Sequence, residues 1–128
     1  GNGPDPEDED KICIAKVRYD GENYQKISEH ASMGHPSISP VNYNLLLNDT
    51  YEHPFGKVQF IDLNSDQIIK SFTLPRVRGK EYPSARNRYR VDHHPVFSHD
   101  GSKVLANTLP DKLATVYEID VDEVLNFE

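Results

Sequence analysis

The stretch Val91-Asp92-His93-His94-Pro95-Val96-Phe97-Ser98-His99-Asp100-Gly101 joins two adjacent histidines to a proline, a short apolar pair and an Asp-Gly turn. A partial copy stands upstream, as Gly34-His35-Pro36-Ser37-Ile38-Ser39-Pro40. A short apolar segment that ends at an Asp-Gly turn is typical of a β-hairpin. The stretch therefore predicts strands that recur along the chain, and its histidines either carry chemistry or only mark where a strand begins.

The two copies match beyond the His-Pro pair. With an offset of 59 residues, His35-Pro36 falls on His94-Pro95, Ile38 on Phe97, Leu45-Leu46 on Val104-Leu105 and Asn48 on Asn107; with an offset of 58, Phe60-Ile61-Asp62-Leu63 falls on Glu118-Ile119-Asp120-Val121. Units of four short antiparallel strands are typical of β-propeller blades. The repeat therefore predicts two blade-like units, preceded by the outer strands of a third.

Short apolar segments separated by turn residues predict strands at Lys11–Tyr19, Asn23–Ile27, Lys57–Leu63 and Gln67–Leu74, with an apolar run at Leu45–Leu47. We expect an all-β fold of antiparallel, four-stranded, propeller-like blades. The predicted organisation is an acidic flexible leader (residues 1–10) and a propeller-like β domain (residues 11–128). That domain divides into a partial blade (11–30), a full blade (31–75), a basic loop (76–91) and a second partial blade (92–128).

About two and a half blades form an incomplete propeller, which cannot close a ring and leaves sheet edges exposed. Three explanations remain open from the sequence. The chain is a fragment of a longer protein, or it self-associates so that its edges are covered, or it is a short stand-alone β domain built from the same repeat.

The bulk composition limits the classes of partner. The chain has 128 residues, a length that suits one domain, and a net charge of −7, which argues against nucleic acid as the main partner. No apolar run is long enough for membrane insertion and no signal-peptide pattern is visible, so we expect a soluble protein. The sequence leaves the compartment open between the periplasm and the cytoplasm of a bacterium.

A basic segment precedes the second His-Pro pair in this otherwise acidic chain. Six of the fourteen Lys and Arg residues lie within fifteen positions: Arg76, Arg78, Lys80, Arg86, Arg88 and Arg90. The planar guanidinium group suits bidentate contact with carboxylates and phosphates. The segment therefore predicts a site for an anionic partner; the alternative is that these side chains pair with nearby Asp and Glu.

The repeat places His35 and His94 at equivalent positions of adjacent blades, near the entrance of each innermost strand. There the two imidazoles would converge on one divalent metal, with Asp92 as an oxygen ligand. His93 and His94 are sequence neighbours, so in an extended strand they point to opposite faces and only one of them faces that site. The alternative is that each His-Pro pair simply hydrogen-bonds a neighbouring blade.

The run His94-Pro95-Val96-Phe97-Ser98-His99-Asp100-Gly101-Ser102-Lys103-Val104-Leu105 resembles the repeat signature of TolB-like propellers. More narrowly, Met33-Gly34-His35-Pro36 and Asp92-His93-His94-Pro95-Val96-Phe97 are similar to motifs of the oligogalacturonate lyases. Those are seven-bladed propeller enzymes, which cleave short pectic fragments by β-elimination at a manganese site built from histidines and a glutamine. The first resemblance covers nearly all of residues 11–125, and the second rests on two short motifs.

The lyase resemblance implies a metal-dependent carbon-oxygen lyase that acts on acidic, uronate-containing oligosaccharides. It implies His35 and His94 as metal ligands, with His93 or Asp92 in a third place and manganese as the expected ion. No glutamine stands near His94 in the sequence, and no residue is identified as the catalytic base. The implied substrate-binding residues are Arg76, Arg78, Arg86, Arg88 and Arg90. The alternative function is a non-catalytic propeller segment that binds a glycan or protein partner.

Overall fold

The computed structural model describes residues 1–32, 34–50, 55–75, 92–109 and 114–126. These residues contain strands β1 (Asn2–Asp5), β2 (Asp8–Lys16), β3 (Gln25–Ser28), β4 (Ser37–Ile38), β5 (Leu45–Asp49), β6 (Phe55–Asp62), β7 (Gln67–Pro75), β8 (Val96–Phe97), β9 (Lys103–Thr108) and β10 (Thr115–Asp120), and the helix α1 (Val121–Leu125).

The strands form three small antiparallel sheets, and none of the three closes on itself within the described residues. The first sheet has the order β1-β2-β3, the middle sheet β4-β5-β6-β7 and the third sheet β8-β9-β10. Every pairing between neighbours is antiparallel. The prediction of an antiparallel β-rich fold is confirmed at this level.

The middle sheet contributes buried side chains from both of its faces, which explains its continuous apolar run. Leu45 and Leu47 of β5 join a core cluster that includes Val104 of β9, in the third sheet. Leu46, between them, joins a second cluster with Ile14 of β2, in the first sheet. Successive side chains of a strand point to opposite faces, so an uninterrupted leucine run is the pattern of a strand covered on both sides.

The middle sheet is a meander in which each strand pairs with the next along the chain. Val58 and Phe60 of β6 point into the larger core, and the ring of Phe60 meets that of Phe72 on β7 edge to face, with centroids 6.1 Å apart. Gly56 lies two residues before Val58, on the same face of β6. This alternation is why β6 could be predicted from the sequence, to within two residues at either end.

The third sheet ends in a short helix, which the repeat did not predict. The repeat aligned Val121 with the end of a strand, whereas β10 stops at Asp120. The Asp120 side chain accepts a hydrogen bond from the backbone N–H of Asp122, which caps the helix. Val121 and Val124 are then buried in the larger core cluster. A capping aspartate followed by two valines three residues apart explains the helical turn.

Residues 1–10 differ from the acidic flexible leader predicted for them. Asn2–Asp5 and Asp8–Lys16 form an antiparallel pair, and the amino group of Gly1 donates to the carbonyl of Ala15 at 2.9 Å. The hydroxyl of Tyr24 donates to the carbonyl of Pro4 at 2.7 Å. Backbone pairing needs no apolar side chains, so an acidic composition did not exclude a strand here.

The basic loop predicted at residues 76–91 lies outside the described residues. Among the described residues the helix α1 has only five residues, and no candidate membrane-spanning helix is found.

Candidate metal site

The loop that carries His35 lies along the end of β5. The side-chain amide of Asn48 donates to the carbonyl of His30 at 3.1 Å and to the hydroxyl of Ser32 at 2.9 Å. That hydroxyl in turn donates to the carbonyl of Asp49 at 2.7 Å. A Cβ on Gly34 would collide with the same carbonyl. The loop therefore approaches β5 at a distance that only glycine allows, and His35 follows directly.

His93 lies on the other side of its segment, buried in the protein. Its ring is 0% exposed, and Nδ1 lies 2.8 Å from the carbonyl oxygen of Asn107 on β9. Its Nε2 faces Gly56, where an added Cβ would stand 2.8 Å from it. The backbone carbonyl of His93 also accepts from the N–H of Asn107 at 2.8 Å. His93 thus fastens its segment to β9, and the structure does not bring it to the metal-ligating group.

His94 turns away from His93 through an uncommon backbone conformation. Its φ is 41°, in the left-handed region that non-glycine residues rarely adopt and that costs about 1 kcal/mol or more. The conformation carries the His94 side chain toward the loop of His35. The two imidazole rings stack, with centroids 3.4 Å apart and planes inclined by 26°. A strained residue that points at another histidine is typical of a constrained functional position.

His35, Asp92 and His94 form a group whose ligating atoms all lie within 4.8 Å of one another. Ligands of a transition-metal ion stand about 2.0–2.2 Å from it, so no two of them are more than about 4.4 Å apart. The bound of 4.8 Å on the separations within the group is close to this limit. Two imidazole nitrogens and one carboxylate oxygen are a donor set suited to Mn²⁺, Fe²⁺ or Zn²⁺ rather than to Ca²⁺. These residues fit a divalent transition metal.

Asp49 lies behind the two histidines and contacts both. Its side chain is 1% exposed. Its Oδ1 accepts the backbone N–H of His35 at 2.5 Å, and both carboxylate oxygens lie 3.1 Å from Nδ1 of the His35 ring. Its Oδ2 accepts the backbone N–H of His94 at 3.3 Å. A carboxylate on the second nitrogen of a ligating histidine is common in metal sites, since it fixes the orientation of the ring.

A depression of about 360 Å³ adjoins the group on the side of the third sheet. Its lining residues are Asp92, His94, Asn107, Thr108, Ala114, Thr115 and Val116. Two members of the group thus line a space of the size that small ligands occupy. Asn107, Thr108 and Thr115 contribute polar side chains to the depression, and Ala114 and Val116 make part of its wall apolar.

Of the residues predicted from the sequence, the structure brings together His35, His94 and Asp92, and it separates His93 from them. The five arginines implied in substrate binding (Arg76, Arg78, Arg86, Arg88 and Arg90) lie outside the described residues. Sequence reasoning missed Asp49, which lies two residues after the predicted apolar run Leu45–Leu47. One signal could have indicated it: in the repeat Asp49 aligns with Thr108, so a charge appears where the second copy has a neutral residue.

No protein-family model, no curated protein and no solved structure matches this chain.

Proposed function

We propose that this chain carries the divalent-metal site of a metal-dependent lyase, which cleaves uronate-containing oligosaccharides by β-elimination. The metal part of the proposal rests on one observation, the convergence of His35, Asp92 and His94. The reaction part rests on the sequence resemblance to oligogalacturonate lyases. Both parts of the proposal involve His35 and His94. The resemblance implies these two histidines as ligands, and their rings stack.

We further propose that the three sheets are consecutive blades of an incomplete propeller. The middle sheet is a four-stranded meander, and it packs apolar side chains against sheets on both of its faces. That arrangement is compatible with blades arranged side by side around an axis. The unpaired edges would then be covered by further chain or by a second copy of the protein.

In this proposal the protein's own groups bind the substrate and set its orientation. The depression lined by His94, Asn107 and Thr115 would receive a uronate ring, with hydroxyl groups facing the polar side chains. A divalent ion held by the histidines and Asp92 would supply a Lewis acid for the uronate carboxylate. The arginines of the basic segment, which adjoins Asp92 in the sequence, would bind further carboxylates of the oligosaccharide.

The proposed reaction is an elimination without water. A base removes the proton on the carbon α to the carboxylate, the bond from the neighbouring carbon to the leaving sugar oxygen breaks, and a carbon–carbon double bond forms. The leaving oxygen takes up a proton. The products are a shortened oligosaccharide and an unsaturated uronate, which absorbs ultraviolet light whereas the substrate does not.

A second function, a non-catalytic scaffold for a glycan or protein partner, is favoured by a different observation. The same histidines have packing roles: the His94 N–H bonds Asp49 and the two rings stack across the junction of two sheets. Residues with these contacts contribute to sheet docking even when no ion is bound. In this scaffold hypothesis, only the basic segment would contact an anionic partner.

The two functions differ in metal uptake and in product. Calorimetric titration with Mn²⁺ and an ultraviolet assay with oligogalacturonate should both give a signal for the wild type. His35→Ala and His94→Ala should abolish both signals, while His99→Ala, at an exposed residue outside the group, should preserve them. Metal uptake without unsaturated product would favour the scaffold. Absence of both signals would overturn the lyase proposal and the metal site together.

A further inference from the structure

Asp49 contacts both candidate metal ligands without belonging to the group of ligating atoms. His35 and His94 come from loops that precede different sheets, and Asp49 lies 14 residues from one and 45 from the other in sequence. Its carboxylate accepts the backbone N–H of each. One buried side chain thus holds the backbone of two loops in a fixed relation.

We propose that Asp49 is a positioning residue, which holds His35 in the one tautomer able to bind a metal on its outer nitrogen and keeps His94 beside it. The inference rests on the proposed metal site and assigns Asp49 a role that the sequence did not reveal. Asp49 acts through the histidines and does not itself contact the ion.

The tautomer follows from the chemistry of the contact. An ionised carboxylate only accepts hydrogen bonds, so the ring nitrogen that faces it must carry the proton. In His35 that nitrogen is Nδ1, 3.1 Å from each oxygen of Asp49. A neutral imidazole with its proton on Nδ1 has its lone pair on Nε2, which is the atom that would ligate a metal. The carboxylate also makes that lone pair more basic and thus a better ligand.

Asp49 is itself held rigidly, as a positioning residue must be. It pairs with Val58 across β5 and β6, and its carbonyl accepts from the hydroxyl of Ser32. Its carbonyl is in close contact with Gly34, which leaves no space for a shift of the strand toward the loop. The carboxylate therefore has a defined place before any ion binds.

Substitution of Asp49 by asparagine tests the role with almost no change of volume. Both carboxylate oxygens accept backbone N–H groups in the wild type, so an amide in either orientation replaces one acceptor with a donor. In either orientation the amide N–H₂ also comes within reach of Nδ1 of His35 and competes with the remaining oxygen for it. Where the amide donates to Nδ1, the proton moves to Nε2, which then cannot bind an ion. We expect Asp49→Asn to weaken Mn²⁺ binding by about 10- to 100-fold.

The matched control is Asp5→Asn in the first sheet. Asp5 is also a buried carboxylate, 6% exposed, and its Oδ2 accepts from Nζ of Lys26 at 2.6 Å. This variant loses a buried charged contact in the same way, yet it lies outside the metal-ligating group. Asp5→Asn should therefore leave the affinity for Mn²⁺ unchanged, so that a general loss of stability is separated from a loss of positioning.

The experiment combines calorimetric titration with Mn²⁺ and nitrogen NMR of the imidazoles in metal-free protein. The wild type should show His35 with its proton on Nδ1, and Asp49→Asn should shift it toward Nε2 while weakening Mn²⁺ binding. A wild type with the proton on Nε2 would overturn the inference even if Asp49→Asn failed to fold. Unchanged Mn²⁺ affinity in a folded Asp49→Asn would overturn it as well. If the wild type binds no Mn²⁺, the proposed metal site fails, and the NMR result still decides whether Asp49 sets the tautomer.

Discussion

The imidazole rings of His35 and His94 stack across the junction of the middle and third sheets, with their centroids 3.4 Å apart. His35 stands two residues before β4, and His94 stands two residues before β8. The two sheets therefore contact each other through histidines at equivalent positions, each just before the first strand of its sheet. Any ion held by both rings would link the two sheets. The contact therefore connects the proposed metal chemistry to the stability of the fold.

Metal removal should accordingly lower the thermal stability. An ion that binds only the folded state stabilises it by about 2.7 kcal/mol when present at 100 times its dissociation constant. We expect Mn²⁺ to raise the melting temperature measured by circular dichroism, and a chelator to reverse the change. His94→Ala should abolish the Mn²⁺ effect. An equal effect in His94→Ala would mean that the ion binds elsewhere, for example at the acidic residues of β2.

His93→Ala should lower the stability of the protein but preserve Mn²⁺ binding, whereas His94→Ala should abolish Mn²⁺ binding. The variant leaves a cavity next to Gly56 and removes the ring contact with the carbonyl of Asn107, so the free energy of unfolding should fall by about 2–4 kcal/mol. Mn²⁺ uptake by the remaining folded protein should persist. Urea unfolding and calorimetric titration measure the two effects. Complete loss of Mn²⁺ binding in a folded His93→Ala would contradict a purely structural role for His93 in the fold.

Two glycines in Asp-Gly turns provide a matched test of the contact between the middle and third sheets. Gly21 and Gly101 both have left-handed backbones, with φ of 84° and 74°. A Cβ on Gly21 would meet nothing within 4 Å, whereas one on Gly101 would collide with Cγ2 of Val41. Gly21→Ala should cost about 1–2 kcal/mol of strain.

Gly101→Ala should cost the same strain and about 1 kcal/mol more, because of the collision with Val41. Adding Val41→Ala should recover the free energy lost to the collision, while the cost of the positive φ at residue 101 should remain. Chemical unfolding of the three variants checks the order. Equal costs for Gly21→Ala and Gly101→Ala would contradict the close packing of the β8–β9 turn on the loop after β4.

The Asp5–Lys26 pair should make the stability depend on pH in the acid range. The hydrogen bond from Lys26 holds the pKa of Asp5 below its ordinary value, and the backbone N–H of Glu7 adds to the effect. A folded-state pKa below the unfolded value, about 3.9, contributes stability that is present above that pH. This contribution is lost as the pH falls through the folded-state pKa.

We therefore expect the melting temperature of the wild type to decline below about pH 4 more steeply than that of Asp5→Asn, whose amide does not titrate. Near neutral pH the variant should be the less stable of the two. Thermal unfolding across this pH range measures both differences. Parallel declines in the two proteins would show that Asp5 has no part in the acid sensitivity.

Much of the β architecture could be predicted from residues close together in the chain. The apolar residues of β6 alternate, and the Asp20-Gly21 and Asp100-Gly101 dipeptides lie in turns where both glycines have positive φ. The 59-residue repeat also paired His35 with His94, whose rings are in contact. These features follow from local backbone preference and from the two-residue period of a strand, which a sequence displays directly.

The remaining features depended on partners distant in sequence. The N-terminal strand β1 is held by backbone pairing with β2 and by the hydroxyl of Tyr24, which donates to the carbonyl of Pro4. No apolar pattern in residues 1–10 indicates this strand. The direction of His93 depends on its contact with Asn107. The sequence around Asp49 indicates only a polar residue at the end of a strand. Asp49 contacts both histidines because two loops 59 residues apart converge on it in the folded protein. Burial of a carboxylate is stable only where donors surround it, and the tertiary structure alone decides which donors those are.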